Sequence, residues 1–571
     1  MRRPTPFLVS LFALALGAPA YATDFHVDPA TGSSAGDGSA AKPWKTLAEV
    51  IQANLVETQN WDSLPYAAGK TLKPKNAGAP IKAGDRILLH TGFHGSVSII
   101  GHYNSAAITV EPAPGQAPQL SKLVVRSSSN WVIRGLEVNR ELAPSYDTST
   151  LVSVENHNHS GPVSDITIAG FTVHSVSDTS GWTATDWDTK SANGISLAGK
   201  NITIRGNLVE DVNFGISSSA QDSLIEKNTV DRFAGDGLRG LGDYTTFQYN
   251  LVKNCYDVNA NHDDGFQSWS VGSDGKVGTG EVVGVTLRGN MIINYEDPNQ
   301  PMRCTLQGIG MFDGMFRDWV VENNVIITDH WHGITLLGAI NAQVINNTVL
   351  DLNTQSPGPP WIKLGNHKNG TPSTGIVRNN LTTAVANEGT GVTEEANVII
   401  KDPTAHFVAP PYDVHLLQSS AAVDKGVATG APGLDIEGIP RPQGSAIDVG
   451  AYEWHDSSVT PTGGPGAGGG TPGGSGGSSS GGSSGAAGSS GAGNGGSAGS
   501  AAGGNGGSGN SAGGGAASAG AAGTGASAAG AKSSDEDGGC GCRTAPARPA
   551  APAWLLALVA AVALRRKQRR Q

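Results

Sequence analysis

The sequence predicts an all-β chain built around a single-stranded right-handed parallel β-helix, a solenoid in which short strands stack coil upon coil. The first observation is an asparagine that recurs at intervals of 21, 22, 40, 34, 23 and 33 residues, at Asn207, Asn228, Asn250, Asn290, Asn324, Asn347 and Asn380. The short intervals indicate a coil of about 22 residues, and the longer ones the same coil with an inserted loop. A propeller blade needs about 40 residues, so these intervals favour stacked coils.

The second observation is the pattern of short strands around each asparagine. A β-rich run such as Ile202-Thr-Ile or Val285-Thr-Leu precedes it, and another set of strands begins after a glycine, at Gly194, Gly215, Gly237, Gly265, Gly308 and Gly333. Each strand can bury one face against the coils above and below. Asparagines at one turn can hydrogen-bond to each other along the stack, which predicts a ladder.

Charge excludes one class of partner. The chain has 571 residues and a formal net charge of −11 at pH 7. Proteins that bind nucleic acid present a basic surface, so we expect no nucleic-acid partner.

The composition changes sharply after residue 456, where a tract of glycine, serine and alanine begins. We expect the β-helix domain to span residues 23–456 as a monomer.

The first 22 residues have the pattern of a secretory signal peptide. Arg2 and Arg3 precede an apolar run over residues 7–16, and Ala20-Tyr21-Ala22 gives a small-x-small cleavage site. This pattern predicts export, with a mature chain that begins near Thr23.

The other end predicts attachment at the cell surface. Residues 457–537 are expected to form a disordered Gly/Ser/Ala stalk. Residues 538–571 hold Cys540-Gly-Cys542, an apolar run and an arginine-rich end, an order that resembles the myxobacterial C-terminal sorting tail. The resemblance implies export, trimming and attachment to the outer membrane or cell surface. The apolar run predicts a short hydrophobic helix, although a membrane span needs about 20 residues.

Both ends of the predicted solenoid resemble those of the pectate-lyase-like β-helix superfamily. Val27-Asp-Pro-Ala-Thr-Gly and Ala83-Gly-Asp-Arg are similar to its N-terminal entry. Asp435-Ile-Glu-Gly and Ile447-Asp-Val-Gly are similar to a terminal segment found at the other end. The resemblance covers residues 23–454 and implies a pectin-lyase-like solenoid.

Candidate site residues lie on the middle coils. In the second set of strands one residue per coil faces outward, giving the row Ser196, Ser217, Arg239, Gln267, Gly310, Thr335 and Lys363. Polar and aromatic residues concentrate near the middle of that row, and insertions at residues 271–284 and 295–303 are expected to wall a groove there. We expect the groove to bind substrate through His262, Gln267, Trp269, Gln307 and Trp331.

The segment His262-Asp-Asp-Gly-Phe-Gln-Ser-Trp is the sharpest motif. With Asp236-Gly one coil earlier, it resembles the calcium site of family 9 pectate lyases. The resemblance implies that Asp236, Asp263, Asp264 and Gln267 bind Ca²⁺, with Gln267 in place of a third aspartate. An all-oxygen ligand set suits that cation. Aspartates that only cap turns are the alternative.

The sequence departs from that family at the catalytic base. A lysine is expected on the coil after the Asp-Asp pair, and Gly310 stands there. Ile362-Lys363 resembles the lysine motif but lies three coils beyond Gln267. Candidates for the base are Lys363, Arg303, His330 and His332, while Arg239 and Arg303 supply positive charge.

Three functions remain open. We favour a calcium-dependent polysaccharide lyase that cleaves an acidic, uronate-containing polymer by β-elimination. The order of Asp236, Asp263-Asp264, His332 and Lys363 also resembles polygalacturonases, which are hydrolases. A non-catalytic glycan-binding surface protein is the third.

Cys255 and Cys304 fall on adjacent coils, where an exported chain can form a disulfide.

Overall fold

Three long sheets form the three faces of a right-handed β-helix, and this confirms the predicted fold. Their strands are parallel except at Thr58–Trp61 and Leu72–Lys75, which pair antiparallel at the edge of the first sheet. The structure is a computed structural model that describes residues 22–456 and 458–460. Within these residues, the first sheet has 15 strands: Asp24–Val27, Thr58–Trp61, Leu72–Lys75, Arg86–Leu89, Tyr103–Pro112, Ser129–Arg134, Ser164–Ala169, Lys200–Arg205, Leu224–Glu226, Thr246–Gln248, Thr286–Arg288, Val320–Glu322, Ala342–Ile345, Thr374–Arg378 and Gly391–Glu395.

The second and third sheets run along the same coils. In the described part of the chain the second has 12 strands: Gly92–Phe93, Pro118–Leu120, Glu137–Asn139, Thr172–His174, Leu208–Val212, Thr229–Phe233, Leu251–Cys255, Met291–Ile293, Val325–Thr328, Thr348–Asp351, Leu381–Thr382 and Val398–Ile399. The third has 10: Ser96–Ile100, Lys122–Arg126, Val152–Glu155, Ile195–Leu197, Ile216–Ser218, Leu238–Gly240, Asp264–Trp269, Gln307–Asp313, His332–Leu337 and Trp361–Gly365. This third sheet carries the predicted outward row.

Strand register explains why the sequence repeats. Ile166 pairs with Ile202 and Ile168 with Ile204, and all four side chains are buried in the core. Thr203 lies between two of them and is only partly buried. Successive residues of a strand point to opposite faces, so an apolar residue at every second position builds one continuous core.

The asparagine ladder is present and is longer than predicted. Each Asn side chain donates from Nδ2 to Oδ1 of the next rung at 2.8–3.0 Å, from Asn207 through Asn380 to Asn397. The seven predicted asparagines are confirmed. Asn397 adds a rung that sequence spacing missed, because it follows Asn380 by only 17 residues.

Both ends of the solenoid are covered. Helix α1 (Leu47–Gln52) starts at the N-cap Thr46 and buries Leu47, Val50 and Ile51 in the main core. At the other end, the hairpin Phe407–Ala409 and Asp413–Leu416 contributes to a second apolar cluster. Covering the open core keeps its apolar side chains and strand edges away from water.

Two features position the loops around the middle coils. Helix α2 (Ala184–Lys190) begins with a capping box at Thr183, and its buried Trp187 stacks on Tyr256 at 4.7 Å. Tyr256 follows Cys255, whose disulfide to Cys304 ties two neighbouring coils together. A separate small sheet of Val282–Val283, Phe316–Arg317 and Ala339–Ile340 borders the third sheet. The disulfide that the sequence allowed is therefore formed.

Two groups of predictions lie outside the described residues. The signal peptide falls in residues 1–21 apart from its last residue, and the stalk, the hydrophobic helix and the sorting tail fall almost entirely in residues 457 and 461–571. Among the residues that the structure does describe, no helix is long and apolar enough to span a membrane.

Candidate functional site

A row of register-matched residues runs along the outer face of the third sheet. Arg239 pairs with Gln267, Gln267 with Gly310, Gly310 with Thr335, and Thr335 with Lys363. Four strand spacings therefore separate Arg239 from Lys363, about 19 Å along the axis. The row runs from Arg239 to Lys363 in the order that the sequence predicted.

The upstream end of the row is an ion pair beside two aromatic rings. The guanidinium of Arg239 donates from Nε to Asp236 and lies 3.8 Å from the Phe214 ring centroid. It also lies 5.5 Å from the ring of Trp269. The backbone N–H of Asp264 donates to Oδ1 of Asp236 at 3.2 Å. Burial raises the pKa of Asp236, and the neighbouring Arg239 opposes that rise.

Asp264 and two glutamines contribute unpaired oxygens under the row. Gln267 donates from Nε2 to Oδ2 of Asp264 at 2.9 Å. Oδ1 of Asp264, Oε1 of Gln267 and Oε1 of Gln307 are buried and have no hydrogen-bond partner among the described residues. Burial and the neighbouring carboxyl groups of Asp236 and Asp263 raise the pKa of Asp264 well above 3.8. These oxygens suit a hard cation, so they fit part of the predicted calcium site.

Asp263 faces a different neighbour. Its carboxylate lies with the sulfurs of Cys255 and Cys304, all within 4.8 Å of one another, and burial raises its pKa well above 3.8. In residues 22–456 this is the only group of three His, Cys, Asp or Glu ligand atoms so close together. The sulfurs are bonded to each other. Calcium binding stays a prediction.

The two predicted histidines lie on the coil beyond Gly310. Their rings stack with centroids 5.1 Å apart, and His332 also contacts Phe312 and Trp361 edge-on. Burial lowers the pKa of His330 to about 4 and that of His332 to about 3. The pKa values of His330, His332 and Asp236 all respond to His262, so His262 lies near both groups.

Lys363 ends the row beside two tryptophans. Its Nζ lies 5.4 Å from the Trp361 ring and 2.9 Å from Oε1 of Glu388. Trp331 stacks on Trp361 with centroids 6.4 Å apart and is 42% exposed. An exposed indole next to a cation can stack on a sugar ring. This end can therefore contact both the rings and the acidic groups of a polysaccharide.

Arg303 does not join the row. Its guanidinium lies 4.3 Å from the Tyr295 ring and donates to the carbonyl of Pro298, within its own loop. Its charge acts on Asp329, and no described contact links it to Asp236 or Asp264. The expectation that Arg303 reaches into the groove is therefore not supported, because its own loop holds the side chain.

Sequence reasoning gave no role in the site to four residues that shape it: Phe214, Phe312, Thr335 and Glu388. Thr335 was placed on the outward row, but its hydroxyl accepts from Nε1 of Trp361 at 3.1 Å and lies 2.9 Å from Nδ1 of His332. Thr335 is fully buried. The aromatic residues around it were the available signal, since large rings beside an outward residue can cover it.

No known protein family matches the chain, and no curated protein matches it. Among solved structures it is similar to the pectate lyase Pel9A, at 14% identity over 76% of this chain and 98% of that one, with a TM-score of 0.33. It is also similar to the A-module of the mannuronan C-5 epimerase AlgE6 from Azotobacter vinelandii, at 14% identity over 56% and 91%, with a TM-score of 0.40.

A third similar structure is the GH136 lacto-N-biosidase from Eubacterium ramulus, at 12% identity over 66% of this chain and 68% of that one, with a TM-score of 0.38. Such low identities and TM-scores carry no argument about activity. The strand pairing within the chain defines the class of protein, which is a right-handed parallel β-helix protein.

Proposed function

We propose that the protein is an exported enzyme that cleaves a uronate-containing polysaccharide by β-elimination. The observation that carries this proposal is the row from Arg239 to Lys363, which is about 19 Å long. An extended acidic polymer lying along the axis would meet the guanidinium of Arg239 at one end and Lys363 at the other, while Trp331 and Trp269 stack on its rings.

Lys363 is the base that the geometry favours. The low pKa values of His330 and His332 make both imidazoles weak proton acceptors. Arg303 is held in its own loop and a guanidinium does not deprotonate. The side chain of Lys363 is only 18% exposed and lies one coil from His332. Lys363 is the lysine on the row, and lysine is the residue type that the resemblance to family 9 lyases implies for the base.

The reaction breaks the C5–H and C4–O bonds of a uronate and forms one double bond. Lys363 in its amine form would take the C5 proton, and the C5–H electron pair would form the C4=C5 double bond. The C4–O bond would break with its electron pair leaving on the oxygen, which would take a proton from water or from the Lys363 ammonium. The C5 proton is a poor acid in water, so positive charge and hydrogen-bond donors near the uronate carboxylate must stabilise the developing negative charge.

Calcium forms part of the proposal. Asp264 and Gln267 would hold the cation, together with Gln307, because their unpaired oxygens are buried there. Asp236 already binds Arg239, and Asp263 lies by the disulfide. A bound cation would supply positive charge for a substrate carboxylate.

The sorting-tail pattern leads us to propose that the enzyme is attached to the outer membrane or cell surface, as a monomer.

One observation favours a second candidate, a hydrolase. Burial raises the pKa of both Asp263 and Asp264 well above 3.8, so each carboxyl group keeps its proton to a higher pH than an exposed aspartate does. A hydrolase needs one protonated carboxyl group as general acid and one ionised carboxylate as general base, and Asp264 beside the Arg239-paired Asp236 could supply them.

Product analysis tests the proposal. The purified protein is incubated with polygalacturonate and with alginate, with and without a calcium chelator. An ultraviolet-absorbing unsaturated uronate supports the lyase. New reducing ends without that absorbance would show a hydrolase instead. Binding with the polymer left intact would show a non-catalytic glycan-binding protein.

A further inference from the structure

The hydrogen bonds of His330 and His332 fix where each imidazole carries its proton. The Thr335 hydroxyl accepts the Nε1–H of Trp361 at 3.1 Å and is fully buried, so its own hydrogen needs an acceptor. Nδ1 of His332, 2.9 Å away, is the acceptor that the described residues provide. His332 therefore accepts at Nδ1 and carries its proton on Nε2.

His330 also carries its proton on Nε2, but a different hydrogen bond determines its tautomer. Its Nδ1 accepts the backbone N–H of His332 at 3.1 Å, which leaves the proton on Nε2. The two rings stack with an interplanar angle of 26° and centroids 5.1 Å apart. Two neutral imidazoles thus stand side by side. In each ring Nδ1 accepts a hydrogen bond and Nε2 carries the proton.

We propose that His330 and His332 form a subsite that binds one uronate carboxylate through their two Nε2–H groups. Its substrate class rests on the proposed function, but its chemistry is independent of the reaction. Two neighbouring N–H donors can serve the two oxygens of one carboxylate.

Thr335 is the positioning residue of this subsite. It does not contact the substrate, and its hydroxyl links Trp361 to His332. Without that hydroxyl, Nδ1 of His332 loses its donor, and the ring can carry the proton on either nitrogen. Thr335→Val removes the hydroxyl at nearly constant shape, while Thr335→Ser keeps it.

The test combines two measurements on the full-length protein labelled with ¹⁵N in its histidine rings. Two-bond ¹H–¹⁵N spectra report the tautomers, assigned through His330→Ala and His332→Ala, and titrations with D-galacturonate, D-glucuronate and neutral D-galactose report binding. We expect Nε2–H tautomers at both residues and saturable binding of a uronate but not of galactose. His332→Ala should weaken uronate binding on the order of tenfold. The exposed His159→Ala is the control and should leave it unchanged.

Thr335 provides a second, structural readout. Thr335→Val should mix the His332 tautomers and weaken uronate binding, and Thr335→Ser should restore both. A proton on Nδ1 in the wild type, or equal binding of galacturonate and galactose, would overturn the proposal. Uronate binding that depends on His332 without any polymer cleavage would leave this subsite standing while the proposed reaction fails. If the wild type cleaves the polymer and His332→Ala leaves uronate binding unchanged, the proposed reaction stands and this subsite fails.

Discussion

The carboxylate of Asp264 occupies the space that a side chain at Gly310 would need. Gly310 lies on the strand next to that of Asp264, and a Cβ built on it would clash with Oδ1 of Asp264. The ring of Phe312 closes the other side. This packing leaves no room for a lysine side chain at position 310. A base must therefore come from elsewhere on the row.

Gly310→Ala should destabilise the fold, because the new methyl group displaces a buried carboxylate. We expect the free energy of unfolding to fall by about 1–3 kcal/mol, the usual effect of overpacking. Gly181→Ala is the matched control, since a Cβ there has no neighbour within 4 Å, and it should change stability by less than about 0.5 kcal/mol. Urea unfolding measures both. Equal effects of the two substitutions would contradict the packing described.

Asn290→Ala should be among the most damaging polar substitutions in the solenoid. Its amide accepts two hydrogen bonds from Asn250 and donates to Phe247 and Asn324. Removing it leaves buried groups unpaired, so we expect a loss of about 3 kcal/mol by urea unfolding. Asn397→Ala removes the partly exposed last rung of the ladder, and it should lower the free energy of unfolding by only about 1 kcal/mol. A larger loss at Asn397 than at Asn290 would argue against the ladder as a stabilising element.

His415 should make the stability depend on pH in the alkaline range. Hydrogen bonds to Glu437 and Asp413 raise its pKa from 6.5 to about 9. The folded state then holds this proton more tightly than the unfolded state does. The resulting stabilisation is complete below pH 6.5 and is lost as pH rises through 9. The stability difference between wild type and His415→Gln should therefore shrink from pH 6 to 10. A constant difference across that range would refute this assignment.

The fold could be predicted from the sequence because a solenoid repeats the same contact on every coil. Asn207 and Asn324 make equivalent hydrogen bonds, so their spacing alone carries the information. In the same way, the alternation of apolar residues around Ile202 and Ile204 was enough to predict which side chains enter the core. The disulfide also followed from coil position, since Cys255 and Cys304 fall on neighbouring coils.

The site could be predicted only in part, because its contacts occur once. The order of Arg239, Gln267, Gly310, Thr335 and Lys363 follows from the repeat and is confirmed. Side-chain directions do not follow from it. Spacing cannot show that Asp236 pairs with Arg239, that Asp263 faces the disulfide, or that Tyr295 holds Arg303. The partner of Lys363, Glu388, lies in a loop beyond the recognisable repeats.

The most direct test of the proposed reaction compares Lys363→Ala with Lys200→Ala in the assay for unsaturated uronate. Lys200 lies on the first sheet, with its side chain 66% exposed and paired with Asp222, so it reproduces the loss of one lysine without touching the row. We predict that the wild type and Lys200→Ala form the ultraviolet-absorbing product at the same rate, while Lys363→Ala is at least about 100-fold slower. Full activity in Lys363→Ala, or no unsaturated product from the wild type on any uronate polymer, would contradict β-elimination by Lys363.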